Sequence, residues 1–179
     1  MTERLEVVWE RWDGHGMERA RVAVGPDGVY ADSDLLTPES VHAHFRIRCD
    51  AQWRTRHVEV TVLEPEHRIL RLEGDGEGHW AGHPELDGCI DVDIYPSPLT
   101  NSLPIRRMGG DCETTAAWVQ IPELTVEPLP QRYTRLEGGN RWRYEALSSG
   151  FTTEFEVDAD GLVLDYPGLA CRLRPRGAQ

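Results

Sequence analysis

The stretch GCIDVDIYPSPLTNSLPIRR, Gly88 to Arg107, crowds two acids, two arginines and three prolines into an otherwise apolar segment. If Cys89 to Tyr95 is extended, the period of two sends Asp91 and Asp93 to one face and Ile90, Val92 and Ile94 to the other. Two carboxylates then stand about 7 Å apart, two steps of strand rise. Carboxylates so placed can accept hydrogen bonds from sugar hydroxyls, pair with a guanidinium, or work as an acid and a base. Arg106 and Arg107 follow three prolines later. If the chain is extended again there, they point to opposite faces and only one meets the acids directly. A guanidinium in that position forks onto a carboxylate or a phosphate.

The elements that must position these groups read as strands. Residues 19–24, 41–49, 56–63, 68–73, 115–121, 141–146 and 152–157 alternate polar with apolar or β-branched side chains. Pro96, Pro98 and Pro104 forbid a ladder through Ser97 to Ser102, so a loop or short helical turn is expected there. Thr37-Pro38 reads as the cap and first residue of another short helix. Asp27-Gly28, Asp75-Gly76 and Asp160-Gly161 each predict a hairpin, because Asp-Gly tolerates the left-handed backbone of a two-residue turn. RVAVGPDGVYADS (21–33) and FEVDADGLVLDYP (155–167) share this strand, turn, strand pattern. The expected fold is therefore all-β: one domain over residues 1–179, with at most one or two short helical turns, and 175–179 as a disordered tail.

With 179 residues the chain can bury a sizeable core. A net charge of −12 and a pI near 5.0 argue against nucleic acid or an anionic membrane as partner. No apolar run is long enough to span a membrane, and the charged N-terminus carries no export signal, which together predict a cytoplasmic protein. Cys49, Cys89, Cys112 and Cys171 show no metal-ligand spacing and are expected to be reduced thiols. His42 and His44, and His79 and His83, read as surface residues, and no metal or cofactor is expected. No GxSxG, HExxH, Walker or GxGxxG motif is present.

The aromatic content includes Trp9, Trp12, Trp53, Trp80, Trp118 and Trp142, with Tyr95, Tyr133, Tyr144 and Tyr166. Most pack in a core, and the remainder can line a concave apolar face. With few helices to cover it, such a face needs a ligand, a second subunit or the chain's own long loops. CDAQWRTRHVEV (49–60), GCIDVDIYPSPLTNSLPIRR (88–107), AAWVQIPELTVEPLPQRY (116–133) and FEVDADGLVLDYPGL (155–169) resemble the successive signatures of the bacterial family labelled putative glycolipid-binding proteins. That resemblance implies a many-stranded, strongly curved antiparallel sheet, an open or spiral half-barrel like that of lipid and lipoprotein carriers, with a hydrophobic concavity. It implies no catalytic residue. The reading is a non-catalytic module for an amphiphile, a glycolipid for example, with Asp91, Asp93, Asn101, Arg106 and Arg107 as polar rim and Trp118 and Tyr133 as stacking surfaces. The alternatives are a carbohydrate hydrolase built on the paired carboxylates and an interaction protein acting through a homodimer or a sheet edge.

Overall fold

A computed structural model of the chain describes residues 2–37, 39–64 and 66–174. The fold is all-β, 57% strand with one short α-helix. Strands β1 (Glu3–Arg11), β2 (Met17–Gly25), β3 (Gly28–Leu36), β4 (His42–Cys49), β5 (Thr55–Glu64) and β6 (Arg68–Glu73) form an antiparallel meander. β7 (Asp91–Tyr95), β8 (Cys112–Gln120), β9 (Thr125–Arg135), β10 (Arg141–Ala146) and β11 (Phe151–Glu156) make a second sheet that curls into a half-barrel. The short β12 (Asp165–Tyr166) and β13 (Ala170–Arg172) return to the free edge of β1 and complete an eight-stranded first sheet. Ile90 stitches the sheets together: its carbonyl accepts from the Thr55 amide and its own amide donates to the Thr115 carbonyl.

The seven segments read as strands all carry strand structure. β7 and β8 run parallel, the one parallel pair among the described strands. Parallel neighbours need a long crossover, and the proline-broken segment supplies it as a 3-10 turn (Leu99–Asn101) running into α1 (Ser102–Met108). β9 was hidden by Pro128 and Pro130. These prolines fall where β9 outruns β10, whose pairing begins at Gln131, so no ladder on that side needs their missing N–H groups.

The turns depart from expectation in two ways. Thr37 caps no helix; its amide donates to the Val41 carbonyl and its hydroxyl accepts from the Val41 amide in the β3–β4 reversal, while Pro38 itself lies outside the described residues, as does the tail 175–179. Asp27-Gly28 does join β2 to β3 as a tight hairpin, with Gly25 opposite Gly28. Asp75 and Asp158 instead head five-residue loops. In each, the first aspartate accepts from the amides two and four residues on, and its own amide bonds the fifth carbonyl. Asp50 heads a third such loop, Asp50 to Arg54. The fourth position is left-handed every time: Gly78 (φ 97°), Gly161 (φ 75°) and Trp53 (φ 64°). Glycine suits that backbone and tryptophan is strained in it by about 1–2 kcal/mol.

Two apolar clusters result. The larger lies between the sheets, joining Phe45, Ile47, Val58 and Val60 to Val92, Ile94, Ala117 and Val119. The second lies on the concave side of the half-barrel and contains Tyr133, Trp142, Tyr144, Phe155 and Tyr166. Trp9 ties the first sheet to the segment covering that concavity, its indole N–H donating to the Val163 carbonyl at 2.9 Å. Trp9→Phe leaves that buried carbonyl without a partner and is expected to cost about 1–3 kcal/mol, read from the urea midpoint. On the outer face of the first sheet, Glu6, Arg21, Asp32, Arg46, Glu59 and Arg71 stand in register across β1 to β6 as a row of alternating charge. Each exposed pair contributes little, but a one-residue slip would set the row against apolar neighbours, so the row reinforces register.

Candidate functional site

The concave face is built by alternation. From β7 it receives Asp91 and Asp93, from β8 Thr114 and Trp118, from β9 Leu129, Gln131 and Tyr133, from β10 Tyr144 and Ala146, and from β11 Phe151. The 3-10 turn and α1 cover one part, and the segment from Tyr166 to Leu169 covers another. Between them lies a cavity of about 360 Å³. Its walls are mainly aromatic and aliphatic: Tyr95, Trp118, Tyr144, Phe151 and Tyr166, with Ile94, Leu129, Ala146 and Leu169. Its polar contributors are Asp93, Ser97, Asn101 and the turn residues Ser148 and Ser149.

Asp93 sits at the root of a buried hydrogen-bond network. Thr100 donates to one carboxylate oxygen at 3.1 Å and the Gln131 amide to the other at 2.6 Å. The same amide nitrogen lies 3.2 Å from the Tyr144 hydroxyl; Tyr133 donates to the Gln131 carbonyl oxygen at 3.2 Å and accepts from Asn101 at 3.0 Å. Burial pushes the Asp93 carboxyl up to about 6, against the hydrogen bonds from Thr100 and Gln131, and the neighbouring Asp91 charge adds to the rise. Burial also raises Tyr133 and Tyr144, keeping both phenols neutral.

Behind the cavity wall is a second buried acid. Ser97 and Ser33 both donate to one oxygen of Glu18 at 2.8 Å, and its other oxygen has no partner among the described residues. Burial pushes Glu18 up to about 7, with Arg11 opposing from a distance. Arg11 itself donates to the Pro96 carbonyl at 3.0 Å. Two side chains of the first sheet thus anchor the loop that walls the cavity.

The structure separates the seven residues singled out in the sequence. Asp93, Asn101 and Trp118 line the cavity, and Tyr133 lies just beneath it, bonded to Asn101. Asp91 and Arg107 form an internal pair: the guanidinium forks onto the carboxylate at 3.2 and 2.7 Å, and Thr114 adds a bond at 2.8 Å. Arg106 and Arg107 sit on a helix, not a strand, so they diverge without alternating. Arg106 lies over the Trp53 ring at 4.9 Å, and its stem packs where a Cβ on Gly161 would lie 2.5 Å away. Two of the aspartate-headed loops clamp it, which accounts for the strained Trp53. Arg56 likewise pairs with Asp50, at 3.5 Å.

Ser97, Gln131, Tyr144, Phe151 and Tyr166 were not assigned to the site from sequence. Tyr133 and Gln131 on β9 and Tyr144 and Ala146 on β10 do keep the alternation, so a correct β9 would have exposed Gln131 as a polar residue on an apolar face. A carboxylate pair of the kind glycosidases use is not assembled, because Asp91 does not reach the cavity.

The family model described as "Putative glycolipid-binding" matches residues 6–172. The chain belongs to that family. The crystal structure of a DUF1089 family protein from Pseudomonas aeruginosa is similar to it at 36% identity and a TM-score of 0.75, over 87% of this chain and 92% of that one. The comparison with curated proteins returns no match. Within this glycolipid-binding family member, no helix among the described residues is long and apolar enough to cross a membrane.

Proposed function

We propose that this protein binds an amphiphile of the glycolipid class without transforming it. One observation carries the reading: an aromatic-walled cavity that Asp93 and Asn101 also line with polar groups. The volume of about 360 Å³ falls at the lower end of the ~300–1,000 Å³ range of small-molecule sites. It therefore takes one ring or one short chain, and the rest of a larger amphiphile must lie outside. Trp118 and Tyr144 offer flat faces for a sugar or an alkyl chain, while Asp93 and Asn101 bond the head. Tyr133 supports the site through Asn101, and Asp91 and Arg107 hold α1 in place against β7 and β8. A single lining carboxylate, with no lining histidine or cysteine among the described residues, supplies neither the acid and base of a glycosidase nor a nucleophile and its base.

The test is native mass spectrometry of gently purified protein together with titration of short alkyl glycosides. A retained amphiphile or saturable glycoside binding is the expected result. Ser148, exposed in the turn at the cavity and without a side-chain hydrogen bond among the described residues, is the place to obstruct it. Ser148→Trp is expected to weaken binding by about tenfold or more, a loss of ~1.4 kcal/mol or greater, with little change in melting temperature. A bare mass with no binding of any alkyl glycoside would overturn the reading.

A further inference from the structure

The charge of the head group can be read from what the cavity lacks and from what it holds. Its lining includes one carboxylate and, among the described residues, no arginine or histidine; the sequence contains no lysine at all. Among the described residues Asp93 forms no ion pair, and its two oxygens are met by the neutral donors Thr100 and Gln131. It remains partly accessible and lines the cavity. One residue further back, Ser97 lines the same cavity and donates to Glu18, a 2% exposed carboxylate that also has no ion pair among the described residues. The Arg11 guanidinium, whose charge acts on Glu18 from a distance, donates to the Pro96 carbonyl.

The walls act in the same direction. Trp118, Tyr144, Phe151 and Tyr166 present aromatic surface, and the face of an aromatic ring carries negative potential. The Tyr144 ring centroid lies 6.2 Å from that of Phe151 and 6.5 Å from that of Tyr166. A carboxylate without a counter-ion inside an aromatic enclosure resembles the sites that take quaternary ammonium groups. An anionic head would meet Asp93 at close range beside a largely apolar wall, where like charges repel more strongly than in bulk water.

We infer that the cavity takes a cationic head group: an ammonium carried by an amino sugar or by an alkylammonium amphiphile, seated against Asp93 between the aromatic walls. The inference rests on the amphiphile-binding reading and narrows it. The ammonium supplies the charge partner that Asp93 lacks, donates hydrogen bonds to its oxygens, and gains cation–π attraction from the rings. Phosphate, sulfate and carboxylate heads are rejected. Asp93, which raised burial costs already hold near a pKa of about 6, is mostly ionised at neutral pH and so available for this role.

The experiment is calorimetric titration of the full chain at pH 7.5, below micelle concentrations, with four probes of matched chain length. These are a decyl glucoside, its 2-amino-2-deoxy counterpart, decyltrimethylammonium and decyl sulfate. The expected result is that a cationic probe binds about tenfold or more tighter than the neutral glucoside, and that decyl sulfate does not bind. Tighter binding of the amino glycoside assigns the charge to an amino sugar; tighter binding of decyltrimethylammonium alone assigns it to an alkylammonium. In Asp93→Asn the ratio between cationic and neutral probes should collapse toward one. If that variant does not fold, the ratio in the unaltered protein still decides. A glucoside that binds as well as or better than both cations overturns the cationic head and leaves amphiphile binding standing. Failure of all four probes overturns both.

Discussion

Arg107→Ala is expected to lower stability by about 3–5 kcal/mol, the cost of leaving a buried charge without its partner. Asp91 is 1% exposed and pairs with no other cation among the described residues; its remaining partner is the Thr114 hydroxyl. The reciprocal change Asp91→Asn should cost less, because the Arg107 side chain is 15% exposed and its freed guanidinium can turn to water. For a chain of this length the larger loss corresponds to a melting temperature roughly 10 °C lower. Arg143→Ala supplies the contrast. It breaks a bond to Glu154 on the outer surface of β10 and β11, where both partners are well exposed, and should cost no more than about 1 kcal/mol. Equal effects from Arg107→Ala and Arg143→Ala in thermal and urea denaturation would show that the inner pair does not hold α1 to the sheet.

Stability should also fall as pH rises through the range in which Glu18 ionises. In the folded chain burial pushes this carboxyl up to about 7 from an ordinary 4.5, with Ser97, Ser33 and Arg11 opposing. Between those values the folded state binds more protons than the unfolded one, so unfolding free energy decreases with pH. The contribution is fully present below about 4.5 and is lost as pH passes about 7, an effect of roughly 3 kcal/mol for this group. Asp93, raised to about 6 from 3.8, adds a slope of the same sign at somewhat lower pH. Half-buried carboxylates such as Glu59 and Glu154, lowered by the hydrogen bonds from Arg71 and Arg143, slope the opposite way at acid pH. The measurement is therefore a difference: urea unfolding of the unaltered chain minus that of Glu18→Gln, from pH 4.5 to 8. The difference curve should favour the unaltered chain at the acid end and Glu18→Gln at the alkaline end. A flat difference would mean that Glu18 is solvated or paired.

The sequence by itself determined the strands and one face of the site. Period-two alternation is a local property, and on β7 it placed Asp91 and Asp93 opposite Val92 and Ile94 as found. Proline likewise fixed where the ladder must break after Tyr95 and a crossover begin. The same local rule hid β9, because whether proline is tolerated depends on where the neighbouring strand ends, and β10 ends at Ala146. Only the tertiary structure decided which acid belongs to the cavity. Asp91 and Asp93 share a face and a residue type, but α1 brings Arg107 onto the first and leaves the second with Gln131 and Thr100, from other elements. Alternation on β2 puts Glu18 on the same face as Ala20 and Val22, but what satisfies a carboxylate there, Ser33 and the distant Ser97, is decided only by the fold. Pairing and burial are set by which distant segments meet, and that is a property of the folded chain as a whole.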